Sequence, residues 1–584
     1  MMLRRNRPRW CPTSACSRQM WVFALLLLLT VTSAAQERNA SPSGSGGAFR
    51  ISGTVVNAIN DQPLAGAYVT MTAVQGTAAR TVMTAADGAF RFDGVRAGKY
   101  ALSAERRGFA SQQYQQHENF STAIAAGPAL DSGNIVFRVV PDASFSGRIA
   151  DEQGDAVRNA RVMLIREQVA EGRAIKAIVA NVITDDQGRY HFAHLKPGAF
   201  YIAVSARPWY AQAPFMGRMD FRAGSVSTFV GFGGGSTGAP SNPALDAAYP
   251  LTLYPDVTDP ASASAITLHA GDRASADITL RVVPALHVRI NHATSEGDRQ
   301  QFANATLVQM IFDGIEVPVQ TSTSGMGGNA NLVSGIPPGH YLLHLTPNGR
   351  RFQQMPQPLN EESAQPARVR EVDLVSDTEL DASAMTPTAT VSGTVKLANG
   401  QAPAKPPTIV LRRGAMRRNF DARANAGGEF TFPQGFAAGT YEVMMSSGDD
   451  LFIRSVTASG AKIAGRMLHI GGSDAVKLSV VASAGAGKIE GTASRDGKPQ
   501  SGAMILLVPQ DPENNLPLFR RDQSDSDGSF TLSPVLPGRY TLLALENGWD
   551  LQWGDAAVLK PFLANGDPIV VDTKANHNMR VKVQ

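Results

Sequence analysis

The histidines could support the widest range of chemistry in this sequence, but their spacing favours none of it. None of the ten histidines begins the His-x-x-Glu pattern with which a zinc peptidase supplies its metal ligands. His191 and His194 are three residues apart, a spacing that directs side chains to opposite faces of a strand. His340 and His344 could share a face, but no third ligand accompanies them. We interpret all four as ordinary strand or loop residues and expect no metal site.

Two further patterns resemble chemical motifs without their required surroundings. The run Gly234–Gly238 matches Gly-x-Ser-x-Gly, which positions a nucleophile only between a buried strand and a helix. Here it lies in a glycine-rich stretch. Asp522, Asp525 and Asp527 precede Gly528 as in a calcium loop, but the acidic ligand that would follow downstream is missing. The sequence therefore predicts no catalytic residue, no cofactor and no enzyme.

Aromatic residues recur at one position of the chain's repeating pattern. Phe109, Trp209 and Trp549 each lie nine residues after the aromatic residue of a Gly-x-Tyr or Gly-x-Phe motif, and Tyr210 and Trp553 lie close by. Exposed aromatic rings can stack on sugar rings. The candidate ligand-binding residues are therefore Trp209, Tyr210, Trp549 and Trp553. The alternative is structural, with each ring covering one end of its domain. Both interpretations stay open at the level of sequence.

The Gly-x-aromatic motif itself recurs at nearly constant spacing. Its five instances are Gly98-Lys99-Tyr100, Gly198-Ala199-Phe200, Gly339-His340-Tyr341, Gly439-Thr440-Tyr441 and Gly538-Arg539-Tyr540. The intervals between the glycines are 100, 141, 100 and 99 residues. Solenoid repeats have periods of about 20–50 residues, so a period near 100 indicates whole domains copied in tandem.

Most copies show the same succession of strand and turn signals, and the third opens more loosely at Leu286–Ile290, without the glycine. An opening strand contains a glycine, as in Ile51–Val55 and Ile489–Ala493. A later Asp-Gly turn leads into alternating apolar residues, as in Asp87–Phe92, which is a hairpin signal. No segment shows a sustained helical period. Short strands with frequent turns therefore predict an all-β fold, a tandem array of about five Ig-like β-sandwich domains.

The repeated motifs also set the expected domain boundaries. They are 49–141 for the first domain, 142–284 for the second with a glycine-rich insertion at about 207–277, 285–386 for a degenerate third, 387–485 for the fourth and 486–584 for the fifth. Pro141 lies only six residues before Gly147, so the first two domains have no long linker. We expect a semi-rigid rod with one flexible loop at the glycine run 231–236.

The first 35 residues read as a secretory signal peptide. Five arginines precede the apolar segment Trp21–Val31, and the small residues Ser33-Ala34-Ala35 follow it. Cleavage would leave a polar linker at 36–48, then 49 basic against 50 acidic residues, a net charge of −1. It would also remove Cys11 and Cys16, the two cysteines of the chain. We expect export to the periplasm, cell surface or medium, as is typical of bacterial proteins of this composition, with no membrane span after cleavage.

The repeats resemble the carboxypeptidase regulatory-like family, a transthyretin-like or carbohydrate-binding-like β-sandwich. The clearest matches are Gly66-Ala67-Tyr68-Val69 to the Gly-Ala-x-Val element and Leu536-Pro537-Gly538-Arg539-Tyr540 to the Pro-Gly-x-Tyr element. Copies one, two and five match well, copy four matches fairly and copy three is degenerate. The resemblance implies seven-stranded sandwiches with a structural or binding role, and it supplies no catalytic residues.

These features favour an exported, non-enzymatic protein that acts as a spacer, scaffold or adhesive element. Tandem copies suit such a role because they add length and valency rather than new chemistry. One alternative is carbohydrate binding through the exposed aromatic residues, and another is an accessory subunit of a separately encoded hydrolase. The expected partner is a polysaccharide or a protein of the cell surface or envelope. The near-neutral charge argues against nucleic acid, and the oligomeric state stays open.

Overall fold

The computed structural model describes residues 49–584, with gaps, and consists almost entirely of β-strands. The gaps are residues 131, 171, 212–244, 292–301, 313, 326–329, 348–367, 414–417, 434, 448–450 and 473–474. The predicted leader at 1–35, the linker at 36–48 and the glycine run at 231–236 lie outside the described residues. The described strands form five units of two main sheets each, called sandwiches 1 to 5. The predicted all-β class and tandem array are confirmed.

Sandwich 1 covers residues 49–139. Its strands are β1 (Phe49–Asn57), β2 (Tyr68–Ala73), β3 (Ala79–Met83), β4 (Ala89–Val95), β5 (Gly98–Glu105), β6 (Gln112–Gln113), β7 (Ile124–Ala126) and β8 (Ile135–Val139). One sheet has the order β4-β1-β8, with β1 and β8 parallel. The other has the order β3-β2-β5-β6, and β7 also pairs with β5.

Sandwich 2 covers residues 143–284. Its strands are β9 (Ala143–Ala150), β10 (Arg161–Ala170), β11 (Arg173–Ile183), β12 (Arg189–Leu195), β13 (Gly198–Ser205), β14 (Ala247–Ala248), β15 (Thr252–Leu253), β16 (Ile266–Leu268), β17 (Arg273–Ser275), β18 (Ile278–Thr279) and β19 (Val283–Pro284). One sheet has the order β12-β9-β17, and the other β11-β10-β13-β15. The described part of the predicted insertion from residue 245 onward contains β14 to β17 of this sandwich.

Sandwich 3 covers residues 286–387. Its strands are β20 (Leu286–Asn291), β21 (Phe302–Ile311), β22 (Ile315–Pro318), β23 (Ser322–Gly325), β24 (Ala330–Ile336), β25 (Gly339–Pro347), β26 (Arg368–Leu374), β27 (Thr378–Asp381) and β28 (Thr386–Pro387). The two sheets have the orders β23-β24-β20-β27 and β22-β21-β25-β26-β28. The copy with the weakest sequence signals therefore has the same two-sheet plan as the others.

Sandwich 4 covers residues 390–484. Its strands are β29 (Thr390–Leu397), β30 (Thr408–Arg413), β31 (Arg418–Arg423), β32 (Glu429–Thr431), β33 (Gly439–Ser446), β34 (Leu451–Ser459), β35 (Lys462–Ala464), β36 (Met467–Ile470) and β37 (Ala475–Ala484). The two sheets have the orders β32-β29-β37-β34 and β31-β30-β33-β36-β35. Here too the opening strand, β29, pairs in parallel with the closing strand, β37.

Sandwich 5 covers residues 487–582 and carries a helix on one sheet. Its elements are β38 (Gly487–Arg495), β39 (Lys498–Pro499), β40 (Met504–Pro509), β41 (Arg520–Gln523), β42 (Ser529–Val535), β43 (Gly538–Leu545), α1 (Ala556–Leu563), β44 (Asp567–Val571) and β45 (Asn576–Lys582). The sheets have the orders β39-β38-β42, with β45 beside β38, and β41-β40-β43-β44. The Asp555 carboxylate caps α1 by accepting from the Ala557 amide at 2.8 Å.

The glycine of the opening strand has a steric cause that recurs in four sandwiches. A Cβ at this glycine would overlap a main-chain carbonyl of the closing segment that runs beside the strand. The pairs are Gly53 with Ile135, Gly147 with Ala276, Gly393 with Leu478, and Gly491 with Met579. In sandwiches 4 and 5 it would also meet the rings of Phe430 and Phe530, which come from the Asp/Asn-x-x-Gly-x-Phe hairpin. The opening glycine and the aromatic residue of the hairpin motif therefore lie against each other in these two sandwiches.

The tyrosines of the Gly-x-Tyr motif close the turn that precedes their own strand. In four copies the hydroxyl donates to the carbonyl oxygen four residues earlier, at Arg96, Pro337, Ala437 and Leu536, with distances of 2.7 to 3.0 Å. Phe200, which has no hydroxyl, fills the position in sandwich 2 and is fully buried. The motif is structural in each copy.

Each sandwich has its own apolar core, and two additional clusters lie on outer faces of sandwiches 2, 3 and 5. Sandwiches 2 and 3 share a cluster formed by Met163, Ile165, Ala203, Leu251, Leu253, Ile311, Ile315 and Val317. In sandwich 5, the outer side of the β40 sheet is covered by α1 and by a cluster that includes Trp549 and Trp553. Among the described residues, no helix has the length and apolar character needed to cross a membrane.

Candidate functional site: the docking surface of sandwiches 1 and 5

Sandwich 5 packs directly on sandwich 1, although the two are at opposite ends of the described chain. Sandwich 1 contributes residues 114–126, the irregular segment after β6 together with β7. Sandwich 5 contributes β41 and the turn at 524–528. Gln115 and Glu118 have φ angles of 49° and 50°, and a tight turn pairs His117 with Phe120, which folds the segment back on itself. The semi-rigid rod expected from the short linker is therefore wrong, because the two terminal sandwiches are in contact.

A buried network of polar side chains lies at the centre of this docking surface. The Gln523 amide nitrogen donates to the Gln115 carbonyl at 2.7 Å and to the Thr122 hydroxyl at 2.8 Å. Thr122 in turn donates to the Ser524 carbonyl at 3.3 Å. The Gln523 amide oxygen lies 3.1 Å from Nδ1 of His117. Thr122, Gln523 and Ser524 are buried, so these hydrogen bonds replace those that the groups would otherwise make with water.

The free edge of β7 is covered by the turn at 524–528 of sandwich 5. The Ala123 amide donates to the Asp525 carboxylate at 2.9 Å, and the Ser526 amide donates to the Ala123 carbonyl at 3.0 Å. The Ala125 amide donates to the Ser526 hydroxyl at 2.9 Å. An uncovered strand edge would present unpaired main-chain groups, so docking also satisfies the edge of sandwich 1.

Among the described residues, two ion pairs cross the docking surface. Lys99 Nζ lies 2.6 Å from Asp525 Oδ2. The Arg521 guanidinium donates to both carboxylate oxygens of Glu118, at 2.9 and 2.8 Å, in a bidentate pair. Only 12% of the Arg521 side chain is exposed, against 32% for Glu118. Charge-assisted bidentate pairs are stronger than neutral hydrogen bonds and fix the orientation of both partners.

Trp549 is an aromatic anchor of sandwich 5 in sandwich 1. Its ring stacks on His117 with centroids 4.9 Å apart and planes 5° apart, and it packs against Phe120 at 5.5 Å. Its Nε1 donates to the Gly502 carbonyl at 3.2 Å. Buried indoles usually find such a partner because an unpaired N–H is costly. The ring therefore joins the two sandwiches instead of facing solvent.

Trp553 lies on the other side of Arg521 and reaches sandwich 2. The guanidinium of Arg521 lies 4.7 Å from the centre of the Trp553 ring and 5.2 Å from that of Phe120, so one cation contacts rings of both sandwiches. The adjacent Gly554 amide donates to the Gly172 carbonyl of sandwich 2 at 2.8 Å. Within the part of the chain that the structure describes, Trp553 Nε1 is buried with no hydrogen-bond partner. Three sandwiches thus meet around this residue.

Burial perturbs the carboxylates of β41 and its turn. It raises the pKa of Asp522 to about 6, although this carboxylate accepts from the amides of Thr531 and Gln523 at 2.7 and 2.8 Å. Burial also raises the pKa of Asp525, against the opposing effect of Lys99. The docking surface therefore holds two carboxylates that lose charge more readily than usual.

The structure separates the four candidate ligand-binding residues into two groups. Trp549 and Trp553 are 7% and 5% exposed, which agrees with the structural alternative for these two residues, whereas Trp209 is 77% exposed. The Trp209 ring meets Tyr210 edge-on, with centroids 5.8 Å apart and planes at 89°. Of the four candidates, Trp209 and Tyr210 are therefore the two that present an aromatic surface to a ligand.

The other sequence candidates have ordinary partners in the described structure. Asp522 and Asp525 are engaged as described above, and Asp527 accepts from the Ser529 amide at 3.1 Å. His340 Nδ1 lies 2.6 Å from Asp373 Oδ1. Among the described residues no group of three or more His, Cys, Asp or Glu side chains is arranged to hold a metal ion. The Gly234–Gly238 motif lies outside the described residues.

Sequence reasoning missed the polar members of the docking surface. Thr122, Gln523 and Glu118 belong to no motif, and nothing about their types distinguishes them from solvated loop residues. One signal was present in the partner strand: residues 503–508 are apolar without interruption, which predicts a strand buried on both faces. Every residue of β40 is buried, as that pattern requires.

Comparisons with known proteins support the family resemblance of the first copy. Residues 50–124 match the model of the carboxypeptidase regulatory-like domain, which confirms the predicted resemblance there. A search of the curated proteins found no match.

Among solved structures, the chain is similar to bacterial proteins of several kinds. The Bacillus anthracis TIE protein has 12% identity over 74% of this chain and 73% of its own, with a TM-score of 0.16. A streptococcal ancillary pilin has 10% identity over 57% of this chain and 98% of its own, with a TM-score of 0.18. The minor pilin GBS52 of Streptococcus agalactiae has 11% identity over 33% and 95%, with a TM-score of 0.16. All three TM-scores are far below 0.5, so fold and function here rest on the chain's own contacts.

Proposed function

We propose that this protein is an exported, non-enzymatic scaffold whose β-sandwiches are held in a fixed arrangement by docking of sandwich 5 on sandwich 1. The observation that carries the proposal is the buried network around Gln523, whose partners Gln115 and Thr122 lie about 400 positions away in sequence. A chain that served only to add length would gain nothing from burying polar groups between its first and last domains.

The character of the docking surface supports a permanent contact. Satisfied buried hydrogen bonds, a bidentate ion pair and stacked aromatic rings are directional, so they specify one arrangement of the two sandwiches. Further contacts extend this rigidity: the Gln320 amide of sandwich 3 donates to the Ser205 carbonyl of sandwich 2 at 3.0 Å. Such a scaffold would hold binding surfaces of several sandwiches at set distances, as multivalent attachment to a cell surface or polysaccharide requires.

Pulsed spin-label distance measurements test the fixed arrangement. Residues 36–584 contain no cysteine, so exposed Asn119 and Glu513 can be replaced by cysteine and labelled without background. We expect a single narrow distance distribution. Arg521→Glu would place two carboxylates face to face at Glu118 and should broaden the distribution, whereas Arg539→Glu, the same charge change at an exposed position of β43, should not.

The opposite result would reject the scaffold. A broad distribution in the unmodified sequence, unaffected by Arg521→Glu, would mean that sandwiches 1 and 5 move independently. The spacer interpretation would then be preferred.

A second function, carbohydrate binding, is favoured by the exposure of Trp209. We infer that its ring, flanked edge-on by Tyr210, could stack on a sugar. Titration of residues 36–584 with soluble polysaccharides should change tryptophan emission, and the change should disappear in Trp209→Ala. Trp549→Phe serves as the matched control because that ring is buried. A response that survives Trp209→Ala would contradict this assignment.

A further inference from the structure

A cleft of about 1020 Å³ opens between sandwiches 1 and 2, away from the docking surface of sandwiches 1 and 5. This volume is at the upper end of the range of about 300–1,000 Å³ that ligand pockets occupy. Its functional side chains are Tyr68, Arg106, Arg107, Phe109, His194 and Lys196. None of these residues belongs to the scaffold contacts described above.

The two walls of the cleft are held together by main-chain contacts. The Ala110 amide donates to the Val140 carbonyl at 2.9 Å, and the Asp142 amide donates to the Gly108 carbonyl at 3.1 Å. Asp142 also lies 2.6 Å from Nδ1 of His194, which connects the start of sandwich 2 to its hairpin. The cleft is thus a preformed space between two anchored domains, and a ligand would not have to open it.

The charged side chains give the cleft a positive character. Arg107 and Lys196 face it from opposite sandwiches, both are exposed, and neither has an ion-pair partner among the described residues. The Arg106 guanidinium lies 5.3 Å from the centre of the Phe109 ring, which orients it at the same wall. Glu105 is the acidic residue of the lining. Unpaired cations on two sides of a cleft favour an extended anionic ligand.

Other groups in the cleft suit a sugar better than a phosphate chain. The Tyr68 side chain is 55% exposed and presents an aromatic surface. The His194 side chain is 80% exposed at the cleft and is held there by Asp142. The Glu105 carboxylate in the lining can accept from sugar hydroxyls.

We propose that the cleft between sandwiches 1 and 2 binds an acidic polysaccharide composed of uronate-type sugars. Arg107 and Lys196 pair with carboxylates of successive sugars, and Tyr68 stacks on a ring between them. His194 and Glu105 interact with hydroxyls. This site is separate from Trp209 and does not require the docking of sandwiches 1 and 5.

Calorimetric titration of residues 36–584 with oligogalacturonate tests the proposal. Maltoheptaose, of similar size but neutral, and a single-stranded DNA oligonucleotide serve as comparison ligands. We expect binding of oligogalacturonate alone, weakening as salt screens the charges. Arg107→Gln combined with Lys196→Gln should weaken it about tenfold, because each exposed pairing is worth a few-fold in affinity. Tyr68→Ala should also weaken it.

The matched control is Lys477→Gln with Lys498→Gln, which removes the same charge from exposed positions of sandwiches 4 and 5. Binding unchanged by this control supports the cleft. Absence of oligogalacturonate binding, preference for DNA or maltoheptaose, or equal weakening by both double variants would overturn the proposal. Loss of binding in Trp209→Ala with no effect of the cleft variants would assign the glycan to Trp209 instead. Arg521→Glu should leave cleft binding intact, so failure of the scaffold and failure of the cleft are distinguishable.

Discussion

The bidentate pair of Arg521 and Glu118 offers the sharpest test of the docking surface. Replacement of each partner alone, and of both together, forms a double-mutant cycle that isolates their interaction across sandwiches. Glu118→Gln keeps the size of the side chain and removes its charge. Arg521→Met keeps an aliphatic side chain over Trp553 and Phe120, so packing is largely retained.

The expected free energies follow from the burial of the two side chains. Glu118→Gln strands a cation whose side chain is 12% exposed, at a cost of about 3 kcal/mol. Arg521→Met leaves a carboxylate that is 32% exposed and so partly hydrated, and it removes cation–π contacts, at a combined cost of about 2 kcal/mol. The double variant has no unpaired charge and should cost about 2 kcal/mol. The two replacements should therefore couple by about 3 kcal/mol.

Urea unfolding followed by tryptophan emission measures these differences. In a Trp209→Phe background, emission comes from Trp549 and Trp553, which are buried at the docking surface. If the free energy of unfolding falls by about 1.5 kcal/mol per M urea, Glu118→Gln should lower the urea midpoint of the transition reported by these tryptophans by about 2 M. The exposed pair of Arg138 and Asp61, with side chains 56% and 66% exposed, is the control and should couple by about 0.5 kcal/mol or less.

Additive effects at Arg521 and Glu118, as small as those at the control pair, would refute the reasoning. They would mean that the guanidinium gains no more from its partner on sandwich 1 than an exposed arginine gains. A large coupling with no change in the spin-label distances would support the contact and define its strength.

Three further changes test separate parts of the structure. Asp522→Asn should reduce the pH dependence of thermal unfolding. The folded pKa of Asp522, about 6, exceeds the unfolded value of about 3.9, so ionisation of this carboxyl destabilises the fold at neutral pH by about 3 kcal/mol. The stability of the parent chain should therefore rise as pH falls from 7 to 5, and that of the variant should rise less. A parent chain whose melting temperature is insensitive over this interval would contradict the assignment. Gly172→Ala should destabilise the contact of sandwiches 2 and 5 by about 2 kcal/mol or more, because φ is +76° and the new Cβ would overlap the Gly554 amide and Trp553 ring, as urea midpoints should report. Gly491→Ala should cost about 3 kcal/mol, because the new Cβ would force β38 away from β45. Gly154→Ala is the comparison: its Cβ would meet nothing within 4 Å, so it should show only the smaller cost of its positive φ. Equal losses of stability in the two variants would reject the close-approach explanation.

The sequence predicted the sandwiches well because their signals are local and repeated. The opening glycine, the Asp-Gly turn and the Gly-x-Tyr corner each report a contact made within one copy. Repetition at intervals near 100 residues raises the weight of signals that would be weak individually. Sandwich 3 has Ile290 in place of the opening glycine and Asn331 opposite it in place of the hairpin ring, and it still forms the same sheets, so the glycine is not required for the fold.

The arrangement of the copies could not be predicted because it depends on contacts that no periodicity records. Glu118 and Arg521 are 403 positions apart, and either would be solvated if its copy stood alone. The post-strand aromatic position stayed ambiguous for the same reason. Trp209 and Trp549 occupy equivalent positions, yet one is exposed and the other is covered by His117 and Phe120 of another copy.

Unbroken apolar runs in the second strand of a copy mark the outer faces that meet another element. In β10, residues 162–165 are all buried, because Met163 and Ile165 join the cluster shared with sandwich 3. In β40, all six residues are buried, under α1 and beside the docking surface. The matching strands β2 and β30 retain polar or partly exposed outward positions. Association of the copies is therefore encoded by departures from the repeat pattern, since the repeated motifs determine only how each copy folds on itself.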